Sequence, residues 1–167
     1  MNLMGLDTTH NCWHGPYSAF MRWRRAIAEA AGFPPLDIME GFFDRDRIRS
    51  EADLPFDPHS WTRSSMILGM WRRGHLPLAW EALRSPPGGP DPRLISLLRH
   101  SDCDGEILAA ECAPIADALE ALLPRLDATV PHPGIERAVY DGVRAATVRF
   151  IAGLRDAAAK RENVVFR

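Results

Sequence analysis

The longest helical pattern in the chain is the feature that most constrains its fold. Between residues 135 and 160, apolar side chains recur at steps of three and four, the spacing of one face of an α-helix. They are Ile135, Val139, Val143, Ala146, Phe150, Leu154 and Ala158. A helix with one apolar face is stable when that face packs against another element. The chain must therefore supply partners for this helix.

Matching patterns elsewhere predict those partners. Further helices are expected at about 16–31, with Phe20, Trp23 and Ile27 facing the core, and at 60–73, 92–99 and from Pro114 to Leu123 or Leu126. The β-branched and aromatic residues Val164 to Phe166 predict a strand, and residues 2–9 predict a second. We therefore expect a mainly α (α+β) fold, a compact bundle of about five helices. A minor sheet would form where the two chain ends pair.

Composition sets the broad class of protein. A chain of 167 residues fits a single globular domain over 1–167, and its 46% hydrophobic and 25% charged residues are typical of folded proteins. The net charge of -2 gives no general reason to bind nucleic acid or an anionic membrane. The three cysteines lack CxxC spacing, so reduced thiols and a cytoplasmic location are expected. No apolar run reaches the ~18 residues of a membrane helix, and no secretory signal is apparent.

The segment HSDCDGEILAAE, residues 100–111, resembles an EF-hand calcium loop. Asp102, Asp104, Gly105, Ile107 and Glu111 fall at loop positions 3, 5, 6, 8 and 12. The two aspartates, the carbonyl of Glu106 and the carboxylate of Glu111 would supply oxygens, and the flanking helices give the required setting. The segment therefore predicts a divalent-metal or small-ligand site.

Three features oppose a calcium site. His100 offers a nitrogen at position 1, where a carboxylate belongs, no second loop is present, and Pro114 suggests that the following helix begins only near residue 113. A mixture of His100 with carboxylates suits manganese, iron or zinc at least as well as calcium. The alternative is a capping turn, in which Ser101, Asp102 and Asp104 bond backbone amides.

A second polar cluster, DTTHNCWHG, lies near the amino terminus. On a helix His10 and His14 would share a face, and on a strand His10, Cys12 and His14 would point the same way. Either geometry could hold a transition metal, with Asp7 or Cys103 as a further ligand. A structural turn is the alternative. If this cluster packs on the 100–106 loop, the two weak signals describe one shared pocket.

Two tryptophan–arginine stretches, FMRWRR and MWRRGH, suggest an anion site. Guanidinium groups bind phosphates and tryptophan can stack on a base, so Arg22, Arg25, Arg72 and Arg73 could clamp a nucleotide-like anion. In the alternative, the tryptophans are core residues and the arginines pair with Asp44, Asp46 or Glu51 on the surface.

Longer sequence blocks resemble a family of bacterial and phage proteins for which no activity is established. They are GLDTTHNCWHGPYSAFMRWR, HSDCDGEI, CAPIADALEALLP and FIAGLRDAAAKRENVVF, and they span nearly the whole chain. The resemblance implies no catalytic role. It implies that Asp7, His10, His14, His100, Asp102 and Gly105 lie inside family motifs, and a phage association would make a host-interaction role plausible.

Common catalytic signatures are absent: the sequence has no GxSxG, HExxH, GxGxxG or P-loop motif. The first hypothesis is a divalent-metal or small-ligand site, with calcium, manganese or zinc as the cofactor and metal-activated water if the protein is an enzyme. The second is a non-catalytic binder of a nucleotide-like anion, as an oligomer. The third is a protein-interaction domain without a small-molecule site.

Overall fold

The computed structural model describes residues 5–55, 61–84, 88–100, 105–128 and 137–167. The chain divides into two compact units. Unit 1 comprises Met1–Ala31 and Asp91–Arg167, and unit 2 comprises Gly32–Pro90. The expectation of a single domain over 1–167 stays a prediction.

Helices dominate the described residues, with a minor β component, which confirms the predicted fold class. The helices are α1 (Tyr17–Ala30), α2 (Trp61–Arg72), α3 (Ile95–Leu98), α4 (Ala109–Ala128) and α5 (Arg137–Lys160). The strands are β1 (Gly5–Asp7), β2 (His14–Pro16), β3 (Gly105–Ile107) and β4 (Val164–Phe166).

Helix α1 is bounded by a proline and a glycine, close to the predicted range of 16–31. Pro16 adopts an extended conformation directly before the first helical residue, and Gly32 has a φ of +79° just beyond the last turn. Phe20, Trp23 and Ile27 are buried, as their spacing predicted. The helix therefore contributes its aromatic face to the core of unit 1.

Helices α4 and α5 pack against each other and form the main helical contact of unit 1. The apolar stripe of α5 is confirmed at Ala146, Phe150 and Leu154, which are buried. Phe150 completes an aromatic group in which neighbouring ring centroids lie 4.7–6.4 Å apart; its members are Trp13, Phe20, Trp23, Phe150 and Phe166. Burial of each large side chain contributes about 1.5–3 kcal/mol, so this group is a major source of stability.

The chain ends meet, as predicted, but each terminal strand has another main partner. Strand β1 pairs antiparallel with β2, and β4 pairs antiparallel with β3. The two ladders are joined where Thr8 bridges Phe166, and the backbones of Asp7 and Arg167 exchange hydrogen bonds of 3.0 and 2.9 Å. Gly105 also pairs with Phe166. Phe166 therefore pairs with Thr8, at the amino-terminal hairpin, and with the first residue of β3.

Helix α4 begins at Ala109, so the prediction that it begins near residue 113 or 114 is wrong. The N–H of Ala109 has a partner that the local sequence does not reveal, because the side-chain carbonyl of Asn163 accepts from it at 2.8 Å. Pro114 is accommodated inside the helix at the cost of one backbone hydrogen bond.

The predicted helix at 92–99 is a 3-10 turn, Pro92–Leu94, followed by the short helix α3. Asp91 caps the turn, because its carboxylate accepts from the Arg93 N–H at 3.0 Å.

Unit 2 has its own apolar cluster. Its buried members are Ile38, Ile48, Leu54, Ile67 and Leu76, with Phe43, Leu68, Met70, Trp71 and Leu78 packed around them. Apart from α2, the described part of this unit consists of short turns and loops. In the ranges that the structure describes, no helix combines the length and apolar character needed to cross a membrane.

Candidate functional site

The central part of the predicted calcium-like loop, including Asp102, Cys103 and Asp104, lies outside the described residues. His100, which precedes it, lies directly beyond the end of α3. Its imidazole stacks on Phe166 with ring centroids 4.1 Å apart. A Cβ atom on Gly105, which has a φ of +109°, would come within 3.0 Å of Nε2 of His100. The glycine is therefore required both by the backbone conformation and by the close approach of His100.

The two glutamates of this segment are bonded within the protein. Glu111 lies in the first turn of α4, where Oε1 accepts from the Ser96 hydroxyl at 2.7 Å and Oε2 accepts from the Leu108 N–H at 3.3 Å. Glu106 in β3 accepts from the side-chain amide of Asn163 at 2.9 Å. Both carboxylates thus have protein partners at the junction between β3 and α4. The capping-turn alternative concerns Ser101, Asp102 and Asp104, which lie outside the described residues.

Asp7 and His14 face each other across the β1–β2 hairpin. Nδ1 of His14 lies 3.6 Å from Oδ1 of Asp7, and the side chains are 86% and 64% exposed, respectively. At this distance the two groups do not form a good hydrogen bond. They form a solvated pair at the surface of the hairpin.

His10 lies elsewhere, although only four residues separate it from His14 in the sequence. Its side chain is 7% exposed and lies between two carboxylates: Nδ1 is 2.7 Å from Oδ2 of Asp156, and Nε2 is 3.1 Å from Oε2 of Glu162. The structure therefore does not bring His10 and His14 together on one face. It brings His10 to the carboxyl end of α5.

The turn Thr9–Asn11 presents His10 through an unusual backbone conformation. His10 and Asn11 have positive φ angles of 59° and 53°. Residues other than glycine and asparagine rarely adopt this conformation, which costs about 1–2 kcal/mol at His10. The prediction that His10 and His14 share a face required a regular helix or strand between them, and this turn is neither. Strained backbone of this kind is frequent at ligand sites, so it supports a functional interpretation of the turn.

A close approach between this turn and α5 places His10 beside Asp156. A Cβ atom on Gly153 would lie 2.5 Å from Sγ of Cys12 and 2.7 Å from the carbonyl oxygen of His10. Only glycine fits at this point of the helix. Burial raises the pKa of the Cys12 thiol to about 12, so the thiol serves packing rather than chemistry.

The end of α5 supplies the other wall of the site. Arg161 has a φ of 57°, and the Glu162 N–H donates to the Ala157 carbonyl at 3.0 Å, which closes the helix and reverses the chain. Asn163 follows, and its carbonyl accepts from the Thr9 hydroxyl at 3.3 Å. The same hydroxyl accepts from the Val165 N–H at 2.9 Å. The reversal thus holds the chain after Lys160 against the turn that carries His10.

Charge is concentrated around Asp156. Its Oδ2 atom accepts from Nζ of Lys160 at 2.8 Å as well as from His10. Hydrogen bonds from Lys160 and then His10 lower the pKa of the Asp156 carboxyl, and the same ion pair raises the pKa of Lys160. Asp156 is therefore a carboxylate at neutral pH, oriented by two partners.

These residues line an open cleft of about 620 Å³, called the His10 cleft here. Its lining residues are Thr9, His10, Asn11, Asp156, Lys160, Glu162 and Asn163. The side chain of Glu162 is 61% exposed, so it can reorient without disturbing the core. The cleft therefore combines a fixed imidazole with a carboxylate that is free to move.

The arginines of the predicted anion site belong to both units. Arg22 and Arg25 are exposed residues of α1 in unit 1. Arg72 and Arg73 belong to unit 2, and Arg72 binds Glu51 through both carboxylate oxygens, at 2.7 and 3.2 Å. This ion pair is the surface pairing that the alternative interpretation expected.

Arg24, between the two predicted arginines of α1, is buried. Its guanidinium lies 4.7 Å from the centre of the Phe20 ring and donates to the carbonyls of Leu98 and His100. Burial, and then the charge of Arg25, lowers its pKa to about 10, so the side chain stays charged at neutral pH. Arg24 therefore fixes the end of α3 and the backbone on which His100 is placed.

Sequence reasoning did not identify Asp156, Glu162 or Arg24. Arg24 lies at helical spacing from Phe20 and Ile27, which was a usable signal for burial. Asp156 lies in α5 between two residues of the apolar stripe, and Glu162 lies just beyond the helix. In the sequence both look like ordinary charged residues, and nothing local distinguishes them. Their partner His10 is 146 residues away from Asp156 in the chain.

Among the residues that the structure describes, no group of three or more His, Cys, Asp or Glu side chains is arranged to hold one metal ion. The two carboxylates beside His10 lie at opposite nitrogens of the ring, so His10 can share an ion with only one of them. No protein-family model, curated protein or solved structure matches the chain.

Proposed function

We propose that this protein binds a divalent transition-metal ion in the His10 cleft, with Nε2 of His10 and the carboxylate of Glu162 as its protein ligands. The observation that carries the proposal is the placement of one buried imidazole between Asp156 and Glu162 at the edge of an open cleft. Water and ligand oxygens would complete the coordination shell.

The distance between the two ligand atoms supports this assignment. Nε2 of His10 and Oε2 of Glu162 are 3.1 Å apart. Two ligands at about 2.0–2.1 Å from one metal ion, at an angle of roughly 90–110°, are separated by about 2.9–3.4 Å. A metal ion can therefore bind both atoms with only a small movement of the exposed glutamate.

Asp156 supports the metal ligand from its far side. Histidines that bind metals usually donate their other N–H to a carboxylate, which fixes the tautomer and the ring orientation. The Nδ1–Oδ2 distance of 2.7 Å between His10 and Asp156 suits this arrangement. Lys160 holds the same carboxylate in place.

The donor set selects among the candidate metals. Imidazole with carboxylate suits zinc, manganese or iron better than calcium, which prefers oxygen ligands. Two protein ligands predict modest affinity and leave positions open to a small ligand or water. If the protein is an enzyme, those open positions are where a metal would activate water.

Thermal melts test the proposal. We expect Zn²⁺ or Mn²⁺, added after dialysis against a chelator, to raise the melting temperature of the wild type, since a ligand that binds only the folded state stabilises it. Manganese is included because it binds thiols weakly. The rise should disappear in His10→Ala and become small in Glu162→Gln. His14→Ala is the matched control, because His14 is an exposed histidine of the same hairpin, and it should retain the rise.

A double variant, Asp102→Asn with Asp104→Asn, separates this proposal from the calcium-loop hypothesis. The His10 cleft predicts that this variant responds to Zn²⁺ or Mn²⁺ as the wild type does. A response that is lost in the double variant and retained in His10→Ala would assign the ion to the 100–111 loop and overturn the proposal. The absence of any response in the wild type would also overturn it.

A further inference from the structure

Unit 2 contains a second cleft, which differs in chemistry from the His10 cleft. It has a volume of about 500 Å³, within the range of about 300–1,000 Å³ that is common for small-molecule sites. We call it the Trp71 cleft. The lining residues that matter here are Phe43, Arg45, Ile48, Arg49, Trp71 and Leu76. None of them belongs to the metal site proposed above.

One wall of the Trp71 cleft is apolar and aromatic. Ile48 and Leu76 are buried members of the unit 2 cluster, while Phe43 and Trp71 are only partly buried. The Phe43 and Trp71 rings are 6.4 Å apart between centroids and inclined at 56°. Aromatic rings that are partly open to a cleft can stack on a planar heterocycle.

Positive charge lies beside this wall. Arg45 is exposed, and its guanidinium makes no hydrogen bond or ion pair with any residue that the structure describes. Arg49 uses Nε to donate to the backbone carbonyl of Asp46 at 2.6 Å. Guanidinium groups in this situation are well suited to bind a phosphate through two parallel hydrogen bonds.

The carboxylates of the same segment already have partners. Asp53 accepts from the Ser50 hydroxyl and from the backbone N–H groups of Arg49 and Ser50, at 2.9–3.1 Å. Asp44 accepts from the Asp46 N–H, and Glu51 is held by Arg72. Asp53 lies close enough to Arg49 for their charges to interact. Among the described residues, these carboxylates contact neither Arg45 nor Arg47, and of the two only Arg45 lines the cleft.

We propose that unit 2 carries a binding site for a planar aromatic phosphate such as a mononucleotide. The ring packs against Trp71 and Phe43, and the phosphate accepts hydrogen bonds from the guanidinium groups of Arg45 and Arg49. This site uses other arginines than the clamp predicted from Arg22, Arg25, Arg72 and Arg73, of which Arg72 is bound to Glu51. It is independent of the His10 cleft and of any metal there.

Isothermal titration with AMP, adenosine and inorganic phosphate tests this site on the full chain. We expect AMP to bind, and adenosine and phosphate to bind at least about tenfold more weakly, since each lacks one half of the recognised chemistry. Arg45→Ala and Trp71→Leu should each weaken AMP binding by about tenfold or more. Arg47→Ala is the matched control, because Arg47 is an exposed arginine of the same segment outside the cleft, and it should change affinity by less than about twofold.

Three results would overturn the proposal. They are no AMP binding at millimolar concentration, equal losses in Arg45→Ala and Arg47→Ala, or unchanged affinity in Trp71→Leu. Equal losses of AMP affinity in the two arginine variants would mean that the overall positive charge of the segment attracts the phosphate, with no specific contact from Arg45. Since Arg45 is exposed, its variant should melt at the wild-type temperature, so a loss of binding there cannot be attributed to unfolding.

Discussion

His10 and His14 lie in one hairpin but in opposite environments. His10 is 7% exposed and touches two carboxylates of the α5 end, whereas His14 is 86% exposed and lies 3.6 Å from Asp7. The difference arises from the turn Thr9–Asn11, in which positive φ angles break any regular periodicity. The spacing of two histidines therefore predicts a shared face only when the backbone between them is regular.

The comparison also shows how a site can be built without a sequence motif. Strand pairing alone places His14 opposite Asp7. The position of His10 requires a glycine in α5, a chain reversal at Arg161 and a carboxylate held by Lys160. Each of these features can be changed by a separate substitution, and the expected changes in unfolding free energy differ in size.

The largest effect is expected for Gly153→Ala, which should push the His10 turn away from α5. The added Cβ would lie 2.5 Å from Sγ of Cys12 and 2.7 Å from the His10 carbonyl. Overpacking of this kind costs about 1–3 kcal/mol or more, against a gain in helix propensity of roughly 1 kcal/mol. Because the contacts are close, we expect a net loss of unfolding free energy of about 1–2 kcal/mol in urea denaturation.

Gly142→Ala is the matched control in the same helix. A Cβ atom on Gly142 would meet nothing within 4 Å. This variant should be stabilised by about 0.5–1 kcal/mol, because alanine is the better helix former. If Gly153→Ala were stabilised to the same extent, the close approach that places His10 would be wrong.

A smaller change in unfolding free energy is expected for Asp156→Asn, and it should depend on pH. Contacts with Lys160 and His10 lower the pKa of Asp156 below its ordinary value of 3.8. A carboxyl of this kind stabilises the fold above its unfolded-state pKa, and the contribution is lost as the pH falls through the folded-state pKa. The stability difference between wild type and Asp156→Asn should therefore be steady near neutral pH and shrink below pH 3.8. We expect it to be small, because the side chain is 44% exposed. A difference that is unchanged throughout the acid range would contradict the charged pairing.

The helices were predictable because their signals are local. The stripe of α5 follows from residues within the helix, and the ends of α1 follow from residues next to it. The start of α4 was not predictable, since Asn163 caps Ala109 from a distant part of the chain. Pro114, the local signal, indicated the wrong start.

The candidate site was predictable only in part. His10 was one of the metal ligands predicted from the sequence. Its partners Asp156 and Glu162 are recognisable only in the folded chain. Gly153 did give a local signal, because a glycine on the buried face of a long helix often marks a close approach. Asp102 and Asp104 lie outside the described residues, so the calcium-loop hypothesis stays a prediction.

The most direct test of the account follows the imidazole nitrogens of ¹⁵N-labelled protein by NMR while Zn²⁺ is added. We predict that the Nε2 resonance of His10 shifts and saturates, while both nitrogens of His14 stay unchanged. If the His10 resonances do not move, or if the exposed His14 shifts together with His10, then His10 is not the metal ligand and the account is contradicted.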